Sequence, residues 1–383
     1  MKRLAGVIMK VLHILEATSG GTRRHVLDLL PALGRLGIEC ELLASPARDP
    51  YFERDAHFLR GCGVRVVALD MARGFDARRD ARALRHIRSH VRRHRPDIIH
   101  CHSTKAGVLG RLARLAAFKT PLVYTPHCLA FDTDLPLLQR RAARLMETLL
   151  APLVSHFIAV SHHEQEVFKR SGLCRGERIS TIHNGVDLKA FDQLPRHPRA
   201  AFDLQEDDFV IGCFGRLTRQ KNQALLLRAL PRVLKEVPRA RLLLVGGGED
   251  ETGLRALARR LGIASHIHWT GEEEEARPYL GLCDLVAQPS RWEGCPYSVL
   301  EAMAARRAIL ATPVGGVPEL LSGVCATEPF ARGARDFATR IIRLAHDDAA
   351  RQCIEHQVRG AVEDRFDLAQ MVEKTRRVYE SVL

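Results

Sequence analysis

Residues 209–237, "FVIGCFGRLTRQKNQALLLRALPRVLKEV", decide how the rest of the chain is read. An apolar run of strand length (209–214) stops at Gly215, and a polar turn follows that carries Arg216 and Lys221. From Gln223 the apolar residues recur at helical spacing. A strand that hands over to a helix through a Gly-ended turn is half of a parallel βαβ unit. The same rhythm continues downstream in "ARLLLVGGG" (240–248), "HIHWTG" (266–271), "DLVAQPS" (284–290) and "AILATPVGG" (308–316), each ending in Gly, Pro or Ser. It also runs upstream, in "KVLHIL" (10–15), "CELLAS" (40–45), "VRVVALD" (64–70), "DIIHCH" (97–102), "LVYTPH" (122–127) and "HFIAVS" (156–161), after which comes "ISTIHNGV" (179–186).

Between the two series lies a polar, Pro-containing stretch, "DLKAFDQLPRHPRAAFDLQEDD" (187–208), which reads as a linker. The expectation is therefore an α/β chain of two Rossmann-like domains, residues 1–186 and 187–365, with a last helix at 366–383. Ligands of open α/β sheets bind outside the carboxyl ends of the strands, so two such domains facing each other would enclose a deep cleft lined by the Gly, Ser and His loops.

Composition narrows the class. At 383 residues, 46% hydrophobic and 27% charged, the chain is long enough for two cores. No apolar run approaches the roughly 20 residues of a membrane span, and the first residues, "MKRLAGVIMKVLHIL", lack a small-residue cleavage site, so a cytoplasmic location is expected. Ten cysteines contain no C-x-x-C pair, which points to reduced, mostly buried thiols and away from zinc. The net charge of +13 is uneven: residues 1–185 carry 30 Lys and Arg against 17 Asp and Glu, and the remainder carries 28 of each. A basic first half suits an anionic membrane surface, a phosphorylated acceptor or nucleic acid. With 5% aromatic residues and no nucleic-acid motif, nucleic acid is the weakest of the three.

Arg216 and Lys221, at the mouth of a strand and the head of a helix, make a plausible diphosphate clamp: a fork of donors, a point charge and a helix N-terminus. Two basic residues after a strand are also common surface decoration. There is no G-x-x-x-x-G-K-[ST] loop, and no G-x-G-x-x-G opens a helix after either first strand. Gly246 to Gly248 read as turn chemistry that lets backbone approach a ligand. In "RWEGCPYSVLEAM" (291–303), Ser298-x-x-Glu301 reads as a capping box, which explains Glu301 and leaves Glu293 unexplained. Asp132-x-Asp134 reads as a solvated loop with helix-capping capacity, so no metal is expected.

Taken together, the E-x7-E spacing of Glu293 and Glu301, "ATPVGGVPEL" after it, "CFGRLTRQKN" before it, and "VLHILEATSGGTRRHVLDLLPAL", "PDIIHCHSTKAGVLGRLAR", "VYTPHCLAF" and "IHNGVD" resemble the retaining GT-B glycosyltransferases of family 4. The resemblance covers nearly the whole chain and implies the GT-B fold, with the final helix, "RFDLAQMVEKTRRVYESVL", returning to the N-terminal domain. It also implies that Arg216 and Lys221 hold a nucleotide diphosphate, Glu301 the ribose hydroxyls and Glu293 the donor sugar. Gly20 and Gly21 would form an N-domain loop facing the donor, and His127 would contact the sugar. Gly294 and the backbone of Cys295 and Tyr297 would support sugar and phosphate, Pro296 having no N–H to offer.

The chemistry so implied is metal-independent transfer on one face of the sugar, the leaving phosphate taking the acceptor proton, with no protein nucleophile and no cofactor. His127 as general base competes with His127 as a hydrogen-bonded strand-end histidine. Three positions depart from the family pattern. Arg306 and Ala308 stand where Gly and Pro are usual, and Asn222 where Gly is usual, so the exit of the helix after Glu301 is in doubt.

On the acceptor side, "FDARRDARALRHIRSHVRRHRPD" (75–97) and "LPLLQRRAARLMETLL" (135–150) are basic and amphipathic, and read either as packed helices with a solvated charged face or as membrane-surface elements. Ser103, Thr104 and Lys105 sit where a strand turns into a helix and could receive the phosphates of a lipid-linked saccharide. The donor is expected to be a nucleotide sugar, UDP preferred, and the acceptor a lipid-linked or polysaccharide glycan such as lipopolysaccharide. The alternatives are a sugar-nucleotide epimerase of the same shape or a non-enzymatic nucleotide-binding or nucleic-acid-binding protein.

Overall fold

The computed structural model describes residues 8–48, 50–72, 74–115, 119–174, 176–192, 197–324 and 329–383; Cys325 and residues 193–196 of the expected linker lie outside them. The chain divides into two compact units, Met1–Asn184 with Leu368–Leu383, and Gly185–Asp367.

The first unit alternates β1 (Lys10–Leu15), α1 (Gly20–Arg35), β2 (Glu39–Ala44), α2 (Phe52–Gly61), β3 (Arg65–Ala68), α3 (Ala77–His94), β4 (Ile98–His102), α4 (Thr104–Arg114), β5 (Leu122–Thr125), α5 (Leu137–Leu150), β6 (His156–Ala159), α6 (His162–Arg170) and β7 (Ile179–Thr181). Its sheet is parallel, in the order β3-β2-β1-β4-β5-β6-β7. β4 is buried along its whole length, as a strand covered on both faces must be. The direction in which strands are added reverses between β1 and β4, and at such a switch point the loops diverge and leave a crevice.

The second unit holds α7 (Leu188–Asp192), β8 (Phe209–Phe214), α8 (Gln223–Glu236), β9 (Ala240–Val245), α9 (Glu251–Arg260), β10 (Ile267–Gly271), β11 (Leu285–Gln288), α10 (Tyr297–Ala304), β12 (Ala308–Ala311), α11 (Val317–Leu320), α12 (Gly333–His346) and α13 (Asp348–Arg365). The parallel order β10-β9-β8-β11-β12 puts its switch point between β8 and β11. The last helix, α14 (Leu368–Val382), belongs to the first unit: Met371, Val372, Val378 and Tyr379 join the core built by α1, β1 and β2.

Four sequence expectations need correction. Ser298 is not the N-cap of α10. Pro296, extended at ψ 123°, takes that place without a side-chain bond, and Ser298 Oγ is buried inside the helix with no partner among the described residues. Proline has a φ suited to the helix entrance, so the helix starts two residues earlier than the Ser-x-x-Glu pattern suggests. Gly20 and Gly21 form no free loop but open α1, Gly20 at φ +63°. Asp132 does not cap α5, whose N-cap is Pro136; it accepts a hydrogen bond from His163 Nε2 at 3.0 Å.

The fourth correction concerns α5, which is not a packed helix with a charged outer face. Its one fully buried side chain is Glu147, and Leu137, Leu138, Leu145 and Leu149 are exposed. Arg111 Nη1 donates to Glu147 Oε2 at 2.7 Å and Tyr124 OH to Oε1 at 3.1 Å, and the guanidinium lies 4.5 Å from the Tyr124 ring centroid. A buried carboxylate needs this full set of partners, so Glu147 is drawn inward beside the partly buried Ala143, while the leucines and Arg140, Arg141 and Arg144 stay outside. The described cysteines are all free, and six are buried; Cys62 and Cys353 are exposed.

Candidate active site

In the second unit, the residues that follow β8 and β11 meet at the switch point. Gly215, at φ +128°, ends β8, and its carbonyl oxygen would lie 2.6 Å from any Cβ on Gly246. Gly248 is likewise pressed on the Leu217 backbone. The Gly-rich exit of β9 therefore receives the protein's own β8 turn, which fixes the turn that carries Arg216 and Lys221. Asn222 begins α8 in the left-handed region at φ +55°, a conformation asparagine tolerates, and its Nδ2 donates to Pro289 O at 3.1 Å. Gln220 Nε2 donates to Trp292 O at 3.1 Å, and Arg291 N to Gln220 O at 2.8 Å. The two turns are thus stitched together.

Glu293 is the focus. Its side chain is 6% exposed, and three donors converge on Oε1: Lys221 Nζ at 2.6 Å, Ser290 Oγ at 2.6 Å and Gln288 Nε2 at 3.1 Å. Oε2 receives none of them and is left as an acceptor in a nearly dry setting. Lys221 spends one of its three N–H donors on Glu293 and keeps two. Thr312 Oγ1 holds Ser290 O at 2.5 Å, and a Cβ on Gly315 would stand 1.7 Å from Glu293 O. Only glycine permits this approach, in which the turn after β12 clamps the Glu293 backbone. Gly294 O accepts from Gly316 N at 3.0 Å, Cys295 and Tyr297 are buried, and Glu301 lies half-buried in α10.

In the first unit, the switch point is lined with imidazoles. Register places His13 of β1 opposite His100 of β4, and Leu15 opposite His102. His13 Nδ1 lies 3.0 Å from His102 Nε2, and His102 Nδ1 lies 3.2 Å from His127 Nε2. His100 is held by Tyr379 OH at 2.7 Å, from α14, and by Thr125 Oγ1 at 2.9 Å. His25 meets Asn184 Oδ1 at 3.0 Å, and its ring stands edge-on to His127 with centroids 4.6 Å apart. Burial pushes every one of these rings toward neutrality: His13 down to about 3, His25 to about 4, and His100, His102 and His127 well below the ordinary imidazole value. His127 (φ +63°) and Ser103 (φ +71°) both sit in the left-handed region, backbone strain of the kind that persists where surroundings over-determine it.

Residues 19–190 match the model for Glycosyltransferase Family 4, and residues 208–347 that for Glycosyl transferases group 1. The D-inositol 3-phosphate glycosyltransferase of Mycobacterium avium is 30% identical over 324 residues, 78% of this chain and 74% of the relative. The chain belongs to the family 4 glycosyltransferases. The UDP-Gal:alpha-D-GlcNAc-diphosphoundecaprenol alpha-1,3-galactosyltransferase of Escherichia coli is 23% identical over 330 residues, 81% of each chain. In structure, Anabaena Alr3699/HepE, solved in complex with UDP and glucose, superposes with a TM-score of 0.80 at 22% identity, over 97% of this chain and 100% of that one. The fold is GT-B.

Within this glycosyltransferase the sequence-predicted residues fall into three groups. Lys221, Glu293 and the turn of Arg216 come together at the second switch point, with Gly294, Cys295, Tyr297 and Glu301 on the segment that continues from it. His127, Gly20 and Gly21 belong to the first unit. Lys105, expected to meet an acceptor phosphate, is engaged elsewhere: its Nζ lies 2.6 Å from both oxygens of Asp80 on α3, and both side chains are mostly buried. Ser103 is buried at the head of α4 without a side-chain cap bond, next to the half-buried Thr104. Sequence reasoning missed Gln288, Ser290, Thr312 and Gly315 around Glu293, and His13, His25, His100, His102 and Tyr379 around His127. The signals were present in "QPS", in "TPVGG" and in the alternation of "HCH".

Proposed function

We propose that this glycosyltransferase moves a hexose, with retention of configuration, from a UDP-sugar to a lipid-linked or polysaccharide acceptor, and that its donor site needs no metal ion. The observation that carries the reading is the Lys221–Glu293 pair at the second switch point, with Glu293 Oε2 left open. In it, Lys221 and Arg216 neutralise the departing diphosphate, Glu301 accepts the ribose hydroxyls, and Glu293 accepts a sugar hydroxyl as charge develops on the ring. The named donor of the Escherichia coli relative and the UDP in the Anabaena complex support UDP. The diphosphoundecaprenol in the relative's name supports a lipid-linked acceptor, and its family match disfavours an epimerase.

The test is a calorimetric titration with UDP, GDP, UDP-glucose, UDP-N-acetylglucosamine and GDP-mannose in EDTA. A uridine nucleotide should bind, and Arg216→Ala should weaken it at least tenfold, the scale of one charge-assisted phosphate contact. Silence from all five ligands, or binding that needs a divalent ion, refutes the donor assignment.

No described helix is long and apolar enough to cross a membrane. The exposed leucines of α5, at 62%, 79%, 60% and 68% for residues 137, 138, 145 and 149, lie among exposed Arg140, Arg141 and Arg144. Apolar side chains flanked by arginines suit an anionic cytoplasmic leaflet, on which we place the enzyme peripherally. Flotation with vesicles containing anionic lipid at low salt should carry the wild type and release Leu138→Glu; equal flotation of the two sinks this surface.

A further inference from the structure

Two imidazole nitrogens sharing a hydrogen bond can stand at nearly the spacing of two ligands on one metal ion. With metal–nitrogen bonds of about 2.0–2.1 Å, tetrahedral ligands lie roughly 3.3 Å apart. His102 Nδ1 and His127 Nε2 are 3.2 Å apart, and a ring nitrogen of His25 lies within 4.8 Å of both residues' ligand atoms. We propose that His25, His102 and His127 form a binding site for a borderline divalent transition ion, of which Zn2+ is the type, with three imidazole ligands and one open position.

The surrounding hydrogen bonds favour this over a mere stack of rings. A carbonyl-type oxygen faces His25 Nδ1 at 3.0 Å, so Nδ1 carries the proton and Nε2 keeps its lone pair. When His102 turns the lone pair of Nδ1 to an ion, its Nε2–H has an acceptor waiting in His13 Nδ1 at 3.0 Å. Two of the three ligands thus already have the outward partner that ligating histidines require to fix tautomer and ring orientation. His25 and His102 are 5% and 0% exposed, so both rings are held in place by their surroundings. His127, half-buried, forms the accessible rim.

The ligand chemistry selects the ion. Three imidazoles without a carboxylate suit zinc, copper, nickel or cobalt, and offer nothing to Mg2+ or Ca2+, which take oxygen ligands. The neighbouring triplet His13, His100 and His102 also brings its nitrogens within 4.8 Å. There, however, His100 is held at both nitrogens, by Tyr379 and Thr125, so an ion would have to break bonds that the His25 side leaves intact.

The experiment uses Co2+ as probe on the full-length protein stripped with chelator, reading the visible bands of tetrahedral cobalt and their loss on adding Zn2+. One Co2+ per chain should bind, excess Mg2+ should not compete, and His25→Gln and His102→Gln should each weaken binding more than tenfold. Asn184→Ala removes the outer partner of His25 without touching a ligand and should weaken binding about tenfold. It decides the matter if the ligand variants do not fold by circular dichroism. The control is His90→Gln, because Glu41, His90 and His94 form another potential ligand group in the same unit. Absence of the bands, binding unaffected by His25→Gln and Asn184→Ala, or binding abolished by His90→Gln overturns the assignment. None of these readouts needs a nucleotide, so failure here is distinct from failure of the donor assignment.

Discussion

The two sheets reverse at corresponding places, after β1/β4 and after β8/β11, and fill those places with opposite chemistry. The first switch point is built from uncharged imidazoles linked to one another, to a tyrosine, a threonine and an asparagine amide, with His13 Nε2 buried and unpartnered among the described residues. The second is built on an ion pair, Lys221 with Glu293, whose carboxylate oxygen is saturated on one side and left open on the other. A neutral network responds to protons and to borderline metal ions; an ionic one responds to the loss of either partner. The same topology therefore yields two sites whose failure modes separate experimentally.

The largest expected effect is acid destabilisation of the first unit. His13 and His25 titrate at about 3 and about 4 when folded, against roughly 6.5 when unfolded, so the unfolded chain takes up protons that the folded one refuses. Their contribution is whole above about pH 6.5 and is lost as pH falls toward the folded values, at about 1.4 kcal/mol per unit for each ring. At pH 5 that is about 2 kcal/mol apiece. Both tryptophans, Trp269 and Trp292, lie in the second unit, and β8 and β11 contain no histidine. Hydrogen exchange in β1, β4 and β5 should therefore accelerate at a pH where tryptophan fluorescence is still native. Coincident transitions would show that the histidines do not set the acid limit.

Next in size is the ionic site. Glu293→Gln keeps the shape and removes the charge that Lys221, Ser290 and Gln288 hold in place. Turnover should fall at least about a hundredfold, near 2.7 kcal/mol, the usual cost of one pre-oriented electrostatic group. Nucleotide affinity should change little, since the diphosphate contacts are assigned to Arg216 and Lys221. A near-wild-type rate would remove Glu293 from the site, and an equal loss in nucleotide affinity would make it a structural partner of Lys221 only.

How far the sequence reached differs between these two regions for a physical reason. Eleven of the twelve strands were legible as short apolar runs, because buried parallel strands have little other pattern; the three-residue β7 was not read as one. Glu293 and Lys221 were legible through resemblance, since each lies in a short contiguous motif. The imidazole cluster was not. His13 and His100 are 87 positions apart and become neighbours only when β1 pairs with β4, a register no local pattern encodes. α5 was ambiguous for a similar reason: its amphipathic pattern suits a packed helix or a surface element, and the partners that bury Glu147, Arg111 and Tyr124, come from other elements. The capping box at Ser298 failed locally, because Pro296 preempted it.

The smallest effect tests where strain is kept. In the first unit two of the left-handed residues, Ser103 and His127, lie at the switch point itself, where a polar network holds His127 in place, while Arg95 closes α3. In the second, Asn222 is left-handed beside the site and is rescued by its bond to Pro289, whereas Arg306 is left-handed at φ +55° after α10. Its backbone N–H caps Met303 O at 3.1 Å, but nothing about a guanidinium favours that conformation. A non-glycine residue there costs about 1–2 kcal/mol. Arg306→Gly relieves that strain, while the greater freedom of glycine in the unfolded chain returns about 0.4–1 kcal/mol. The net gain should be about 0.5–1 kcal/mol in chemical denaturation, with the transfer rate unchanged. If Arg306→Gly instead lowers activity at unchanged stability, the exit of α10 takes part in positioning Glu301, and strain in the second unit serves the site as it does in the first.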